Sequence, residues 1–225
     1  KHFSLISIYE ENVIFIEPGY YALNLLFKWS PVGYFYVFFI ATALSYFFIL
    51  RQLCYERILK WGIFSLVSLG CLIWMNDIIR QGIAFSIFIY SLRYMKKGDF
   101  LSYFICVAIA CLFHYSAVVL LFFYFLRYLR LSSIVWILLI ILTFVLQYAG
   151  IFRELLKSLI AMIPYYGAYA NKADQYFVTG SVVGIGLIYK QLIAMCIALF
   201  YPKISNKFYA TLFLSGCVLD NIFLG

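Results

Sequence analysis

The sequence predicts an all-α, polytopic membrane protein of about eight short transmembrane helices, with its unusual polar residues collected on the outer face. Three observations predict this. Hydrophobic residues make up 66% of the 225-residue chain and charged residues only 12%. A soluble domain averages about 25% charged residues, and a soluble fold of this make-up exposes apolar patches that lipid would solvate. The apolar residues fall in runs of helical length, broken by small groups of basic residues. Those basic groups fall on one side of the membrane once the runs are threaded through it.

A spanning helix needs about 20 apolar residues. Residues 1–30 read as an extracytoplasmic segment, in which Glu17-Pro18-Gly19-Tyr20 makes a turn before a short amphipathic stretch, Tyr21–Trp29. Pro31–Leu50 is an uncharged run, and Trp61–Ile79 is a second, polar only near its end. Gln81–Met95 is a third and short one. Phe100–Leu126 is long for one crossing and short for two, so it is expected to turn at His114. Ser132–Ala149, Ser181–Tyr201 and Phe208–Leu224 complete the series. Residues 31–149 then form a six-helix core, 150–180 an outer loop with an amphipathic helix over Ile151–Ile163, and 181–225 two further helices, all in one transmembrane domain.

With hairpins near Asn76–Arg80 and His114, one side holds Arg51/Arg57/Lys60, Arg93/Lys96/Lys97, Arg127/Arg130 and Lys203/Lys207. That is ten basic residues against two acidic ones, Glu56 and Asp99, with seven of each sign elsewhere. The positive-inside rule makes this side cytoplasmic. Only 32 residues separate Lys60 from Arg93, and 29 separate Lys97 from Arg127. At 1.5 Å per residue each leg reaches roughly 20–24 Å, short of a hydrocarbon core about 30 Å thick. Both tips are therefore expected to sink below the outer surface, where irregular polar backbone survives only beside protein or a water-filled cavity.

The candidate functional residues lie at these tips. Asn76 or Asp77 is expected to cap a helix that begins near Ile78, which places Arg80 in its first turn. A cation there opposes the helix dipole and suits an anion, although an Arg80–Asp77 pair that merely closes the turn is the plain alternative. His114, in Phe113-His114-Tyr115-Ser116, can move a proton or donate to phosphate; a buried neutral histidine bonded to backbone is its alternative. Glu17 is a candidate general base beside a cationic pocket, or else an exposed loop carboxylate. In the loop, Tyr166 and Lys172 belong to a tyrosine- and asparagine-rich stretch that suits sugar, or an interfacial aromatic belt. Lys190 is a lone mid-span cation that fits a phosphate ligand, an ion pair or a cavity lining.

Other classes fit less well. The net charge of +8 is dispersed in small groups rather than a stripe, which argues against nucleic acid. The six cysteines form no CxxC pair and read as small core residues. No zinc pattern, P-loop or Asp-x-Asp motif is present, so no metal or other cofactor is expected.

Two stretches resemble a signature of the EpsG-like family of bacterial polysaccharide polymerases. They are Ile79-Arg80-Gln81-Gly82-Ile83-Ala84 followed by Arg93-Tyr94-Met95-Lys96-Lys97, and Leu112-Phe113-His114-Tyr115-Ser116-Ala117. Glu17-Pro18-Gly19-Tyr20 resembles the family's upstream glutamate–glycine–aromatic element. The resemblance implies a GT-C-like membrane glycosyltransferase of the O-antigen and capsule polymerase (Wzy) type in the bacterial inner membrane. Its substrate would be an undecaprenyl-pyrophosphate-linked oligosaccharide, joined on the periplasmic face without metal or nucleotide sugar, and a chain-length regulator would be a further partner. It implies Glu17, Arg80 and His114 as catalytic residues, with Asp77, Gln81, Tyr115, Ser116, Tyr166, Lys172 and Lys190 toward substrate. Family members are longer, so the chain reads as a fragment. A flippase of lipid-linked saccharide, a membrane acyltransferase and a purely structural subunit are the rival classes.

Overall fold

The computed structural model describes residues 17–68, 78–152, 154–155, 158 and 185–223. Among these every regular element is helical. The helices are α1 (Pro18–Leu26), α2 (Gly33–Tyr55), α3 (Leu59–Ser68), α4 (Ile79–Lys97), α5 (Phe100–Phe113), α6 (Leu120–Phe123), α7 (Ser133–Tyr148), α8 (Ile185–Phe200) and α9 (Lys207–Phe223). Short 3₁₀ turns cover Tyr115–Val119, Tyr124–Tyr128 and Tyr201–Lys203. Among the described residues, α2 is the one helix both long and apolar enough to cross a membrane by length and composition. Leu59–Ser68, Phe100–Phe113, Tyr115–Tyr128 and Ser133–Tyr148 are apolar but shorter. Of the amphipathic helix expected over Ile151–Ile163, residues 151–152, 154–155 and 158 are helical and the rest lie outside the described residues. By contacts the chain divides after Tyr124, inside the expected six-helix core.

The first unit, ending at Tyr124, is built on α2, α4 and α5, with α1 against α5 and α2. Its core is small-residue packing: Ala41, Gly82, Ala84, Ala110 and Ala117 are buried with Val37, Ile83 and Ile87. Small side chains let helix backbones approach where lipid provides no hydrophobic drive between helices. Large apolar side chains such as Phe39, Phe47, Leu101 and Phe122 point outward, a surface suited to lipid.

Helix α4 stops at Gly98, whose left-handed φ of 86° lets its N–H and that of Asp99 reach back to the Tyr94 carbonyl. Asp99 then caps α5 by accepting from the Ser102 N–H at 3.1 Å. Helix α5 breaks at His114, where the backbone is extended (φ −157°, ψ 111°), and the chain turns back. The Tyr124 hydroxyl donates to the Gly98 carbonyl at 2.7 Å, and Tyr103 donates to Leu120. The hairpin expected at His114 is thus formed. Its return leg is largely 3₁₀, which rises about 2.0 Å per residue against 1.5 Å for an α-helix, so the same residues reach further.

Near this same C-terminal end of α4, Arg93 donates from Nε to Gln52 Oε1 at 3.0 Å and lies 3.9 and 4.8 Å from the ring centroids of Tyr90 and Tyr55. Lys96 pairs with Glu56 at 2.8 Å. These contacts lock the basic ends of α2 and α4 together. Arg93 comes thirteen residues after Arg80 on one helix, so Arg80 lies about 20 Å from this basic end.

The second unit, from Phe125 onward, packs α7, α8 and α9 around Trp136, Ile140, Ala194, Ala198 and Leu214. A buried polar chain crosses it: Gln191 donates to Asn221 at 2.6 Å, and Asn221 donates to the Thr143 hydroxyl at 3.1 Å. Lys190, one residue away from Gln191, pairs with Asp220, one residue away from Asn221. Of the readings open for Lys190, the helix-packing ion pair is the one formed. Paired charges and bonded amides are the condition on which polar groups survive at membrane depth.

Candidate functional site

Three separate stretches of sequence converge on the Glu17 carboxylate. Pro18 fixes the first turn of α1, and Glu17 is its N-cap residue. The Glu17 side chain makes no cap hydrogen bond. It crosses instead to α4 and α5, accepting from Arg80 Nη1 on Oε2 at 2.6 Å and from the His114 ring Nδ1 on Oε1 at 3.2 Å. These partners lie 63 and 97 residues away in sequence. The Glu17 side chain is 6% exposed, so the exposed-loop alternative does not hold. The His114 ring likewise bonds a carboxylate, where the alternative placed a backbone group.

Arg80 occupies the first turn of α4, as expected, while Asn76 and Asp77, expected to cap it, lie outside the described residues. Its N-cap is Ile78, with no side-chain hydrogen bond. An apolar residue there cannot satisfy the free N–H groups, so this helix end keeps its positive character. Arg80 is held by Glu17 and lies 5.9 Å from the Tyr20 ring centroid, while 49% of its side chain stays exposed. A guanidinium has five donors on a rigid fork, so one edge can hold a carboxylate while the other faces a ligand. Arg80 lines a cavity of about 280 Å³ together with Tyr20, Ile78, Ile79, Gln81 and His114.

The approach of α1 to α5 rests on one glycine. A Cβ on Gly19 would lie 2.9 Å from the Leu112 carbonyl oxygen and 3.0 Å from Leu112 Cβ. The obstacle is backbone, which cannot swing aside as a flexible side chain can. Gly19→Ala is expected to push α1 off α5, separate Glu17 from His114 and destabilise the protein by about 1–3 kcal/mol. Thermal unfolding of the purified variant checks this; an unchanged midpoint contradicts it.

A model described as the EpsG family matches residues 1–225. The chain belongs to the EpsG family. No curated protein and no solved structure matches it. The family is one of membrane proteins of the polysaccharide-polymerase type. The three motifs on which the sequence resembles it are the three that meet at Glu17.

The remaining expected EpsG site residues divide. Gln81 lines the cavity with Arg80 and His114. Tyr115 and Ser116 do not line it, and both are exposed. In the 3₁₀ turn that follows His114, residues three apart share a side, so buried Ala117 follows His114 inward and Tyr115 and Ser116 face out. Lys190 belongs to the second unit and is bound to Asp220. Asp77, Tyr166 and Lys172 lie outside the described residues. Tyr20 was not expected as a site residue, although it stands in the Glu17 motif; its place beside Arg80 follows from α1 packing onto α5 and α2. Among the described residues no group of three or more histidine, cysteine or acidic side chains is placed to hold a metal.

Proposed function

We propose that this EpsG protein joins undecaprenyl-pyrophosphate-linked oligosaccharide repeat units at the outer face of the bacterial inner membrane. The observation that carries the proposal is the Arg80–Glu17–His114 junction beside an open cavity. It offers a carboxylate to take a proton and a half-exposed cation to receive an anion.

The growing glycan is the donor, linked through its anomeric carbon to pyrophosphate. A hydroxyl of the non-reducing sugar on a new repeat unit is the acceptor. Glu17 takes the proton of that hydroxyl as its oxygen bonds to the anomeric carbon. The bond from that carbon to the pyrophosphate oxygen breaks, and its electron pair leaves on the pyrophosphate. The free edge of Arg80 and the positive end of the α4 dipole face the charge that develops. The imidazole N–H of His114 fixes the orientation of the carboxylate, and Gln81 hydrogen-bonds phosphate or sugar. The energy of the new bond comes from the pyrophosphate ester, so neither nucleotide sugar nor metal is called for.

With it we propose the eight-span, multi-pass topology expected from the sequence. The basic cluster at the far end of α4 marks the cytoplasmic side, and Arg80 lies about 20 Å from it. In a hydrocarbon core about 30 Å thick the junction then sits within the outer leaflet, open to the periplasm. A lipid tail can remain in the bilayer while its headgroup reaches the cavity. Lys172 and Tyr166, on the outer loop in this topology, would meet the saccharide.

The test is a polymerase-deficient strain complemented with full-length protein carrying His114→Ala. We expect short glycans and an accumulation of single lipid-linked repeat units on the outer side. Long polymer at wild-type levels overturns the proposal. Repeat units stranded on the inner side also overturn it, because they mark a flippase.

A further inference from the structure

The reaction proposed above gives Tyr20 no task, yet Tyr20 lines the same cavity as Arg80, Gln81 and His114. It stands three residues after Glu17, and residues three apart share one side of a helix. The start of α1 therefore presents the carboxylate and the ring together. Tyr20 is half-buried and packs against the core of the first unit. Asn24, one turn on, donates to the Tyr20 carbonyl at 2.8 Å, and Gly19 holds this stretch against Leu112. The ring is thus placed by the fold of α1. Arg80 Cζ is 5.9 Å from its centroid, at the outer limit of about 6 Å for a cation–π contact. Arg93 makes a closed stack in the same unit, at 3.9 Å from the Tyr90 centroid. Arg80 makes no such close stack on Tyr20.

An aromatic face is the negative end of a quadrupole, so it repels phosphate and attracts the electropositive C–H groups of a sugar ring. A pyranose offers such a C–H face and a rim of hydroxyls. The Gln81 amide has both donors and an acceptor for those hydroxyls. Ligand pockets run from about 300 to 1,000 Å³, and at about 280 Å³ this cavity suits one sugar ring rather than a whole repeat unit. We infer that Tyr20 is a substrate-binding residue whose ring stacks on the C–H face of the sugar that carries the pyrophosphate. That sugar is the one in reach, because Tyr20 and the phosphate-binding Arg80 are neighbours in one small cavity. The inference rests on the reading of Arg80 given above and adds that a single sugar is recognised there.

Native mass spectrometry of the full-length protein tests this with three lipids: undecaprenyl pyrophosphate, undecaprenyl-pyrophosphoryl-glucose and undecaprenyl-pyrophosphoryl-galactose. The two hexoses differ in the C–H face they offer. The quantity read is the ratio of glycosylated to bare lipid affinity within each variant, which a partial loss of folded protein does not alter. The wild type should prefer at least one glycosylated lipid. Tyr20→Leu keeps an apolar side chain against the core but removes the aromatic face, and should lose roughly 2–10-fold of that preference. Tyr20→Phe should keep it. Arg80→Ala should weaken all three lipids alike, because all three carry pyrophosphate. A loss in Tyr20→Leu confined to the glycosylated lipids supports the inference. An unchanged ratio in Tyr20→Leu overturns it, as does a wild type that prefers neither glycosylated lipid. Long polymer from His114→Ala, together with a sugar preference lost in Tyr20→Leu, would remove the proposed reaction and leave this sugar site standing.

Discussion

Glu17→Gln is expected to stop chain extension while the protein still folds. Glutamine preserves the shape of the side chain and still offers an oxygen to Arg80. It removes the proton acceptor, however, and a positioned general base contributes about 10²–10⁴-fold in rate. Cells carrying this variant should accumulate single lipid-linked repeat units, with polymer reduced by that factor at wild-type protein levels. Because Glu17 is also the acceptor on which Arg80 and His114 converge, Glu17→Ala should do more harm than Glu17→Gln. It leaves a cationic side chain and an imidazole without their shared partner, and should lower the thermal midpoint as well as the rate. Equal midpoints for the two variants contradict this account of the junction.

The second large effect is expected at Arg80. Removing one preorganised donor from a developing negative charge typically costs about 10²–10³-fold in turnover. Arg80→Ala should therefore lose that much at saturating donor. Arg80→Lys should recover little of it, because an ammonium is a point charge and cannot present one edge to Glu17 and another to pyrophosphate. The comparison is made on initial rates with purified variants. A lysine variant as fast as the wild type would show that charge alone matters and that the forked geometry does not.

Much of the site was legible in the sequence because its residues are costly where they stand. An arginine at the start of an apolar helix, a histidine in the middle of a long apolar run and a glutamate before Pro-Gly each stand out against their surroundings. What joins them was not legible. Nothing in the local pattern shows that Glu17 turns away from capping its own helix, or that Gly19 lets α1 close onto Leu112. The helix start itself was read to within one residue: α4 begins at Ile79, and Ile78 takes the N-cap position. Tyr115 and Ser116 were expected at the site from the motif they share with His114, and the 3₁₀ period turns them outward. The partner of Lys190 could be found only once α8 and α9 were seen side by side, although Asp220 is the lone acid in its own apolar run. The helices themselves were the easiest part. Arg51/Arg57/Lys60, Arg93/Lys96/Lys97 and Lys203/Lys207 fall within a few residues of observed helix ends, as does Gly98-Asp99 between α4 and α5.

The most direct measurement is a reconstituted reaction in lipid nanodiscs with lipid-linked repeat units as the only substrate, comparing full-length wild type with Glu17→Gln. Glycan length and released polyprenyl pyrophosphate are followed together, with no metal or nucleotide sugar added. The wild type should release one pyrophosphate lipid for each repeat unit joined, and Glu17→Gln should bind the substrate but do both about 10²–10⁴-fold more slowly. Polymer formed by Glu17→Gln at the wild-type rate, or polymer formed without release of the pyrophosphate lipid, would contradict a reaction centred on this carboxylate.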